Sequence, residues 1–334
     1  MVRPASYSWI LVVFLFSCDQ WLLPPDPASD PTAVFDTLWE DVNHRYSFFT
    51  HKDIDWKQVR ADYRPRVNDQ MGQLELYDLL AEMLFELRDG HVNLSTGFNR
   101  SRNWDWYRDF PVNYDENLIE QEYLGGDYWI SGPLQHQVVD EVLYVNYRSF
   151  GQRISEANLQ VVVERAKRSR GVIIDVRNNG GGNLSNAELL ASAFAAEEIE
   201  YAKQRIKSGP GPDEFGPWEP MTIRPWEEGT YTGRVIVLTN RRSYSATTFF
   251  AQMMKALPNV SLVGDQTGGG GGTPVFGELP NGWTYRFSAT QTIDPDERQL
   301  EDGVVPDLRL DLNPAAVGRG EDNLIETAIF LLRR

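Results

Sequence analysis

Residues Val235 to Gly272, VIVLTNRRSYSATTFFAQMMKALPNVSLVGDQTGGGGG, constrain the fold more than any other stretch of this chain. Val235 to Leu238 is an apolar, β-branched run with the character of a buried strand. A polar turn, Thr239 to Arg242, ends it, and Phe249, Phe250, Met253, Met254 and Leu257 then recur at helical spacing over Thr247 to Leu257. Val260 to Val263 follows as a second strand, and Gly268 to Gly272 as a mobile turn. Strand, helix and strand in this order predict an α/β fold. Ser243-Tyr244-Ser245-Ala246 stands between the first strand and the helix. A serine there has two readings. One is an ordinary N-cap. The other is a nucleophile, because a helix N-terminus offers unpaired N–H groups and the positive end of a dipole.

The chain has 334 residues, enough for one large domain and a smaller one, and 41% apolar content supports a packed core. A net charge of −16 argues against nucleic acid or an anionic lipid surface as the main partner, since either needs a basic face. With one cysteine no intramolecular disulfide forms, so packing alone holds the fold.

That cysteine ends an N-terminal pattern. Arg3 precedes the apolar run Trp9 to Phe16, which is too short to span a bilayer, and Ser17-Cys18 closes it. Leu15-Phe16-Ser17-Cys18 resembles a bacterial lipobox, with Phe16 bulkier than usual at its position. The resemblance implies a lipoprotein-type signal peptide over 1–18, lipidation of Cys18, and an exported protein of the bacterial cell envelope. The membrane is then reached through the lipid anchor, on a periplasmic or surface face. An ordinary secretory signal is the other reading. Residues 19–30, with three prolines, read as a linker.

Val34, Leu38 and Val42 share one helical face, and leucines recur at three- and four-residue steps from Leu74 to Leu87. Residues 31–95 therefore read as a small helical cap, broken at Asp55-Trp56 and Tyr63-Arg64-Pro65. Gly90 reads as a helix C′ glycine. His91, one of four histidines, follows it and precedes a short strand, Val92 to Leu94. A histidine at a helix end is either a dipole partner or, with its near-neutral pKa, a general base. His44, His51 and His136 have no motif around them. Residues 96–140 read as an aromatic-rich connecting β segment, whose Trp104, Trp106, Tyr114 and Tyr123 either pack hairpins or line a peptide groove.

Residues 141–334 form the main domain. Val142 to Tyr147 is a strand, Ser155 to Arg168 a helix, and Gly171 to Val176 a strand buried on both faces. Gly180 to Gly182 lacks the Gly-Lys-Ser/Thr and Gly-x-Gly-x-x-Gly patterns of a nucleotide cradle. Glu197 to Gly229 reads as a long excursion between strands, Gly277 to Gly282 as a hairpin turn, and Glu321 to Leu332 as a terminal helix.

Four segments together resemble the S41 peptidase family of tail-specific and tricorn-core proteases. Ser243, Ser245 and Thr247 fall on the three hydroxyl positions of its Ser-Ala-Ser-Ala-Ser-Glu-like segment. Leu262 to Gly269 is similar to its Val-Gly-Glu-x-Thr-x-Gly, Asp175 to Gly182 to its Asp-x-Arg-x-Asn-x-Gly-Gly, and Glu301 to Asp307 to its late Gly-Val-x-Pro-Asp signature. Leu38-Trp39-Glu40, Asp55-Trp56 and Leu87-Arg88-Asp89-Gly90-His91 resemble the tricorn-like branch.

The resemblance implies a crotonase/ClpP-like ββα spiral, α/β in class. It also implies Ser245 as nucleophile, His91 as general base, and an oxyanion hole at the N–H groups of Gly181 and Ala246. Glu301 is the implied orienting acid, with Glu297 and Asp302 near enough in sequence to compete. Gly270 stands where dyad branches carry a lysine, and Lys255 is the nearest lysine to Ser245. The span between His91 and Val142 is too short for a PDZ domain, so none is expected. The implied function is that of an exported serine endopeptidase acting on peptide or protein substrates through an acyl-enzyme, with no cofactor or metal. The alternative is a catalytically silent module of this fold that binds a peptide or hydrophobic ligand, as retinoid-binding relatives do.

Overall fold

The computed structural model describes residues 29–334. The signal-like segment with Cys18 and most of the linker lie outside the described residues. The cap begins with α1, Pro31–Arg45, whose start is set by the Asp30 carboxylate accepting the Ala33 N–H and by proline in the first turn. Asp55 caps α2, Trp56–Tyr63, in the same way, and α3 is Gln73–Phe85. Their buried faces, including Phe35, Leu38, Trp56 and Leu80, pack on Trp283, Tyr285 and Phe287 from far along the chain. The cap therefore shares its core with the main domain.

After β1, Asn93–Ser95, the segment expected to be β is helical in its first part. Asp105–Arg108, Glu116–Leu118 and Ile119–Leu124 are short helical turns. Leu118, Ile119, Tyr123 and Leu124 are buried against Tyr144 and Ile325, a helical spacing that the aromatic content masked. Only β2, Trp129–Ser131, and β3, Leu134–Val139, are strands, and both belong to the main sheet. That sheet thus starts before residue 141.

The main domain continues through β4 (Val142–Asn146), α4 (Glu156–Ala166), β5 (Val172–Asp175) and α5 (Leu184–Ser192). Next come β6 (Ile199–Ile206), β7 (Glu219–Ile223), β8 (Val235–Thr239), α6 (Ala246–Lys255) and β9 (Val260–Gly264). β10 (Pro274–Glu278), β11 (Thr284–Ser288), β12 (Thr290–Ile293), β13 (Leu308–Arg309) and α7 (Asn323–Arg333) complete it. The seven-stranded sheet has the order β13-β9-β8-β5-β4-β3-β2, with β4, β5, β8 and β9 parallel. Val172, Ile174 and Val237 face the side covered by α4, α5 and α6. Ile173, Ile236 and Leu238 face α7. Burial on both faces is why these strands read as continuous apolar runs.

The excursion between Glu197 and Gly229 holds two strands of its own. β6 pairs antiparallel with β7 and with β12, a partner too distant in sequence to leave a local signal. The third sheet, β1-β11-β10, carries the cap contacts. Gly268 to Gly272, expected to be mobile, are all buried. Among the described residues no helix is long and apolar enough to cross a membrane.

Candidate active site

Ser245 joins β8 to α6 with φ 59° and ψ −122°, a region non-glycine residues rarely occupy. Such backbone strain costs on the order of 1–3 kcal/mol and persists only where the surroundings enforce it. Here the Ser245 N–H donates to the Gly269 carbonyl at 2.9 Å. Although it occupies the N-cap position, its side chain caps nothing. Its Oγ lies 2.9 Å from His91 Nε2 instead. The neighbouring hydroxyls are spent on structure: Ser243 donates to the Val176 carbonyl at 2.8 Å and Thr247 to Asn179 Oδ1 at 2.9 Å.

His91 reaches Ser245 from the cap side, where α3 ends at Phe85 and Arg88, not Gly90, takes the left-handed conformation with φ 48°. Gly90 is needed for a different reason: a Cβ there would stand 2.6 Å from Trp106 Nε1 and 2.7 Å from the Tyr244 hydroxyl. Tyr244 stacks on Trp106 with centroids 4.1 Å apart and lies 5.0 Å from the His91 ring. This enclosure buries His91, and burial is the main cause that pushes its pKa down to about 4. The Asp89 charge opposes the shift, Arg286 and Lys52 add to it, and a backbone hydrogen bond with Gly272 opposes it. Near neutral pH the ring is therefore uncharged. With the proton on Nδ1, Nε2 accepts from the Ser245 hydroxyl, and Nδ1 faces Gly272 and Ser288 Oγ, the latter 3.5 Å away.

None of the three proposed orienting acids hydrogen-bonds His91. The Glu301 side chain, 6% exposed, pairs with Lys52 Nζ at 2.7 Å and accepts the Gly271 N–H at 3.1 Å. Burial chiefly raises its pKa to about 7, against the opposing Lys52 charge. Asp302 meets His51 Nε2 at 2.9 Å, and Glu297 is exposed. The carboxylate with the strongest hold on the imidazole is Asp89, which accepts the His91 backbone N–H at 2.7 Å. Its other oxygen is buried without a hydrogen-bond partner. Burial opposes ionisation of Asp89, but Lys52 and His91 together hold it below its ordinary value. Asp89 and Lys52 were missed by sequence reasoning. Asp89 stood in the quoted Asp-Gly-His segment; Lys52 gave no local signal.

Gly181 packs its backbone against Ser245, where a Cβ would stand 2.8 Å from Ser245 Cβ. Its N–H donates to Asn179 Oδ1 at 3.0 Å, so it is committed here. The Ala246 N–H, in the first turn of α6, has no acceptor among the described residues and flanks the same point. Gly270 has φ +75° and faces the Tyr244 ring, 2.6 Å from where its Cβ would be, so no lysine fits there. Lys255 donates to the Val305 carbonyl and pairs with Asp307, and neither contact lies at Ser245. His44 bonds the Glu40 carbonyl, and buried His136 bonds Ser131 Oγ.

Ser245 and His91 open onto a cleft of about 690 Å³, bordered also by Trp104, Trp106 and Phe276. Of the aromatics between Asn99 and Asp140, these two tryptophans line the cleft, whereas Tyr114 and Tyr123 pack in the core. A second cavity of about 640 Å³, beside α5 and β7, contains neither serine–histidine pair nor any histidine.

Residues 141–310 match the model of peptidase family S41, and residues 27–85 match the tricorn protease C1 domain. A candidate peptidase of solved structure from Parabacteroides merdae ATCC 43184 is 40% identical with a TM-score of 0.86, covering 91% of this chain and 97% of that one. Mature CPAF has the same fold at 12% identity and a TM-score of 0.68, with 87% of this chain and 94% of that chain covered. The carboxy-terminal processing protease CtpA of Bacillus subtilis is 23% identical over 147 residues, 44% of this chain but only 30% of that protein.

Proposed function

The chain belongs to peptidase family S41, and we propose that it is a serine endopeptidase working through an acyl-enzyme. The observation that carries this reading is the Ser245 hydroxyl, held on a strained backbone and aimed at a buried neutral histidine 2.9 Å away. Ser245 Oγ attacks the scissile carbonyl while His91 Nε2 takes its proton. The Ala246 N–H stabilises the oxyanion, joined by Gly181 when its N–H exchanges Asn179 for the substrate. The tetrahedral adduct collapses as His91 returns the proton to the leaving amine. Water, deprotonated by His91, then hydrolyses the ester and frees Ser245. Glu301 acts one step removed: it fixes Gly271, next to the Gly272 backbone that meets His91, and holds Lys52. Asp89 favours the imidazolium as it forms.

Fluorophosphonate treatment followed by mass spectrometry should place the modification on Ser245. Modification of Ser243 would sink the assignment, and an unreactive folded protein would favour a ligand carrier. His91→Ala should reduce turnover by roughly 10³ to 10⁶ with the fold intact, whereas Lys255→Ala should be nearly silent. We further propose export and lipidation at Cys18, on the strength of the N-terminal residue pattern. Cys18→Ala should release the protein from the membrane fraction or leave it unprocessed; unchanged fractionation and migration would indicate an ordinary signal peptide.

A further inference from the structure

The cleft at Ser245 carries charge opposite to that of the chain. Arg100, Arg102 and Arg286 line it and no carboxylate does, although the chain has 48 acidic residues against 32 basic ones. Arg286 sits on β11, paired across the sheet with Phe276 of β10 and Asn93 of β1. Arg286 Nε and an Arg100 guanidinium nitrogen both donate to the amide oxygen of Asn93, at 2.7 and 2.9 Å. Two cations thus converge on one neutral acceptor. Burial, and then the adjacent Arg100 charge, pull the Arg286 guanidinium below its ordinary value. Arg102 lies over Trp104 at 5.4 Å from the ring centroid. Among the described residues none of the three makes an ion pair. Arginines elsewhere on the surface do, as in Arg60 with Asp36, Arg66 with Glu82 and Arg319 with Glu321.

Grouping like charges in a concave site without counterions is unfavourable in the free protein and focuses a positive potential where substrate enters. A carboxylate relieves that repulsion and satisfies guanidinium donors in charge-assisted hydrogen bonds. We propose that Arg100, Arg102 and Arg286 form a subsite that selects substrates carrying a carboxylate close to the scissile bond. Phe276 and Trp104, 71% and 42% exposed, flank it and provide apolar contact for the stem that bears the charge. This inference rests on the peptidase reading for the same cleft. The carboxylate is either an acidic side chain or the C-terminus of a polypeptide.

An internally quenched peptide in four forms separates these sources: glutamate or glutamine beside the scissile bond, each ending as a free acid or an amide. Specificity constants are measured for the parent protein, and affinities of the same four peptides for the Ser245→Ala protein. Forms bearing the recognised carboxylate should be preferred by about tenfold in both. A preference that follows glutamate identifies the side chain; one that follows the free acid identifies the terminus. Arg100→Gln/Arg102→Gln should abolish the preference while leaving the rate of fluorophosphonate labelling unchanged. Arg102→Gln alone, which breaks no hydrogen bond, should reduce it if the double variant does not fold. Equal binding and cleavage of all four forms would overturn the proposal, as would a preference that survives the arginine substitutions. Failure of the peptidase reading appears separately, as absent labelling, and the affinities for Ser245→Ala still decide the carboxylate question.

Discussion

Burial suits His91 to the role of base proposed for it. A histidine in water is half protonated near pH 6.5 and loses its basic form just below neutrality. Enclosed by Tyr244 and the cleft wall, with its pKa pushed down to about 4, His91 stays neutral well into the acid range. The rate of fluorophosphonate labelling at Ser245 should therefore hold as pH falls through 6.5 and drop only near 4, since protonation removes the acceptor for the serine proton. Labelling is the right readout because the reagent carries no titrating carboxylate. A midpoint at 6.5 that persists in Glu301→Gln, which removes the other group titrating near neutrality, would show that the ring is not desolvated in solution. Asp89 is the principal charge favouring imidazolium, so Asp89→Asn should move this midpoint lower still and slow turnover by roughly 10- to 100-fold. Glu301→Gln keeps an oxygen for the Gly271 N–H and loses only the Lys52 pairing, so it should cost less than His91→Ala.

At the scale of elements, legibility followed sequence distance. The strand–helix unit from Val235 to Lys255 and the doubly buried β5 were readable because their signals are local: apolar runs, a cap position and helical spacing. Ser245 and His91 were singled out by motifs resembling those of the family, local signals alone leaving each with a second reading, and the structure sets them 2.9 Å apart. Lys52 with Glu301, Arg286 with Asn93, and β6 with β12 were not, because each contact joins segments far apart and leaves no periodicity in either. The glycine run shows how composition misleads. Five consecutive glycines suggested mobility, yet they are threaded between Tyr244 and Trp106 on one side and Leu300 to Gly303 on the other. Close approach, not freedom, is what glycine supplies there. Gly270→Ala combines an unfavourable φ with a clash against the Tyr244 ring and should destabilise the protein by about 2–4 kcal/mol. Denaturant unfolding measures this, and a loss under 0.5 kcal/mol would restore the mobile-turn reading.

At the scale of the whole molecule, the proposed nucleophile and base come from different parts of the chain, so the Ser245–His91 pair exists only while the cap is docked. The loop after α1 is stitched to the main domain by Ser47, whose N–H donates to the Ser288 carbonyl at 3.1 Å and whose hydroxyl donates to that of Thr290 at 2.8 Å. Gln291 Nε2 donates to the Ser47 carbonyl at 2.6 Å. The same loop carries Lys52, so docking also delivers the cation that Glu301 and Asp89 share. Inside the cap, Trp39 and Trp56 stack with an interplanar angle of 2°, and each indole N–H donates to the other's backbone carbonyl. Trp56 is buried in the core that the cap shares with Trp283, Tyr285 and Phe287. Trp56→Ala should therefore cost about 3–5 kcal/mol, and the loss should belong to the molecule, not to the cap alone. Thermal unfolding should remain a single transition at lower temperature, with Ser245 labelling lost in parallel. Two separate transitions, with labelling surviving the first, would mean that the cap melts independently and that His91 is held in place by the main domain without it.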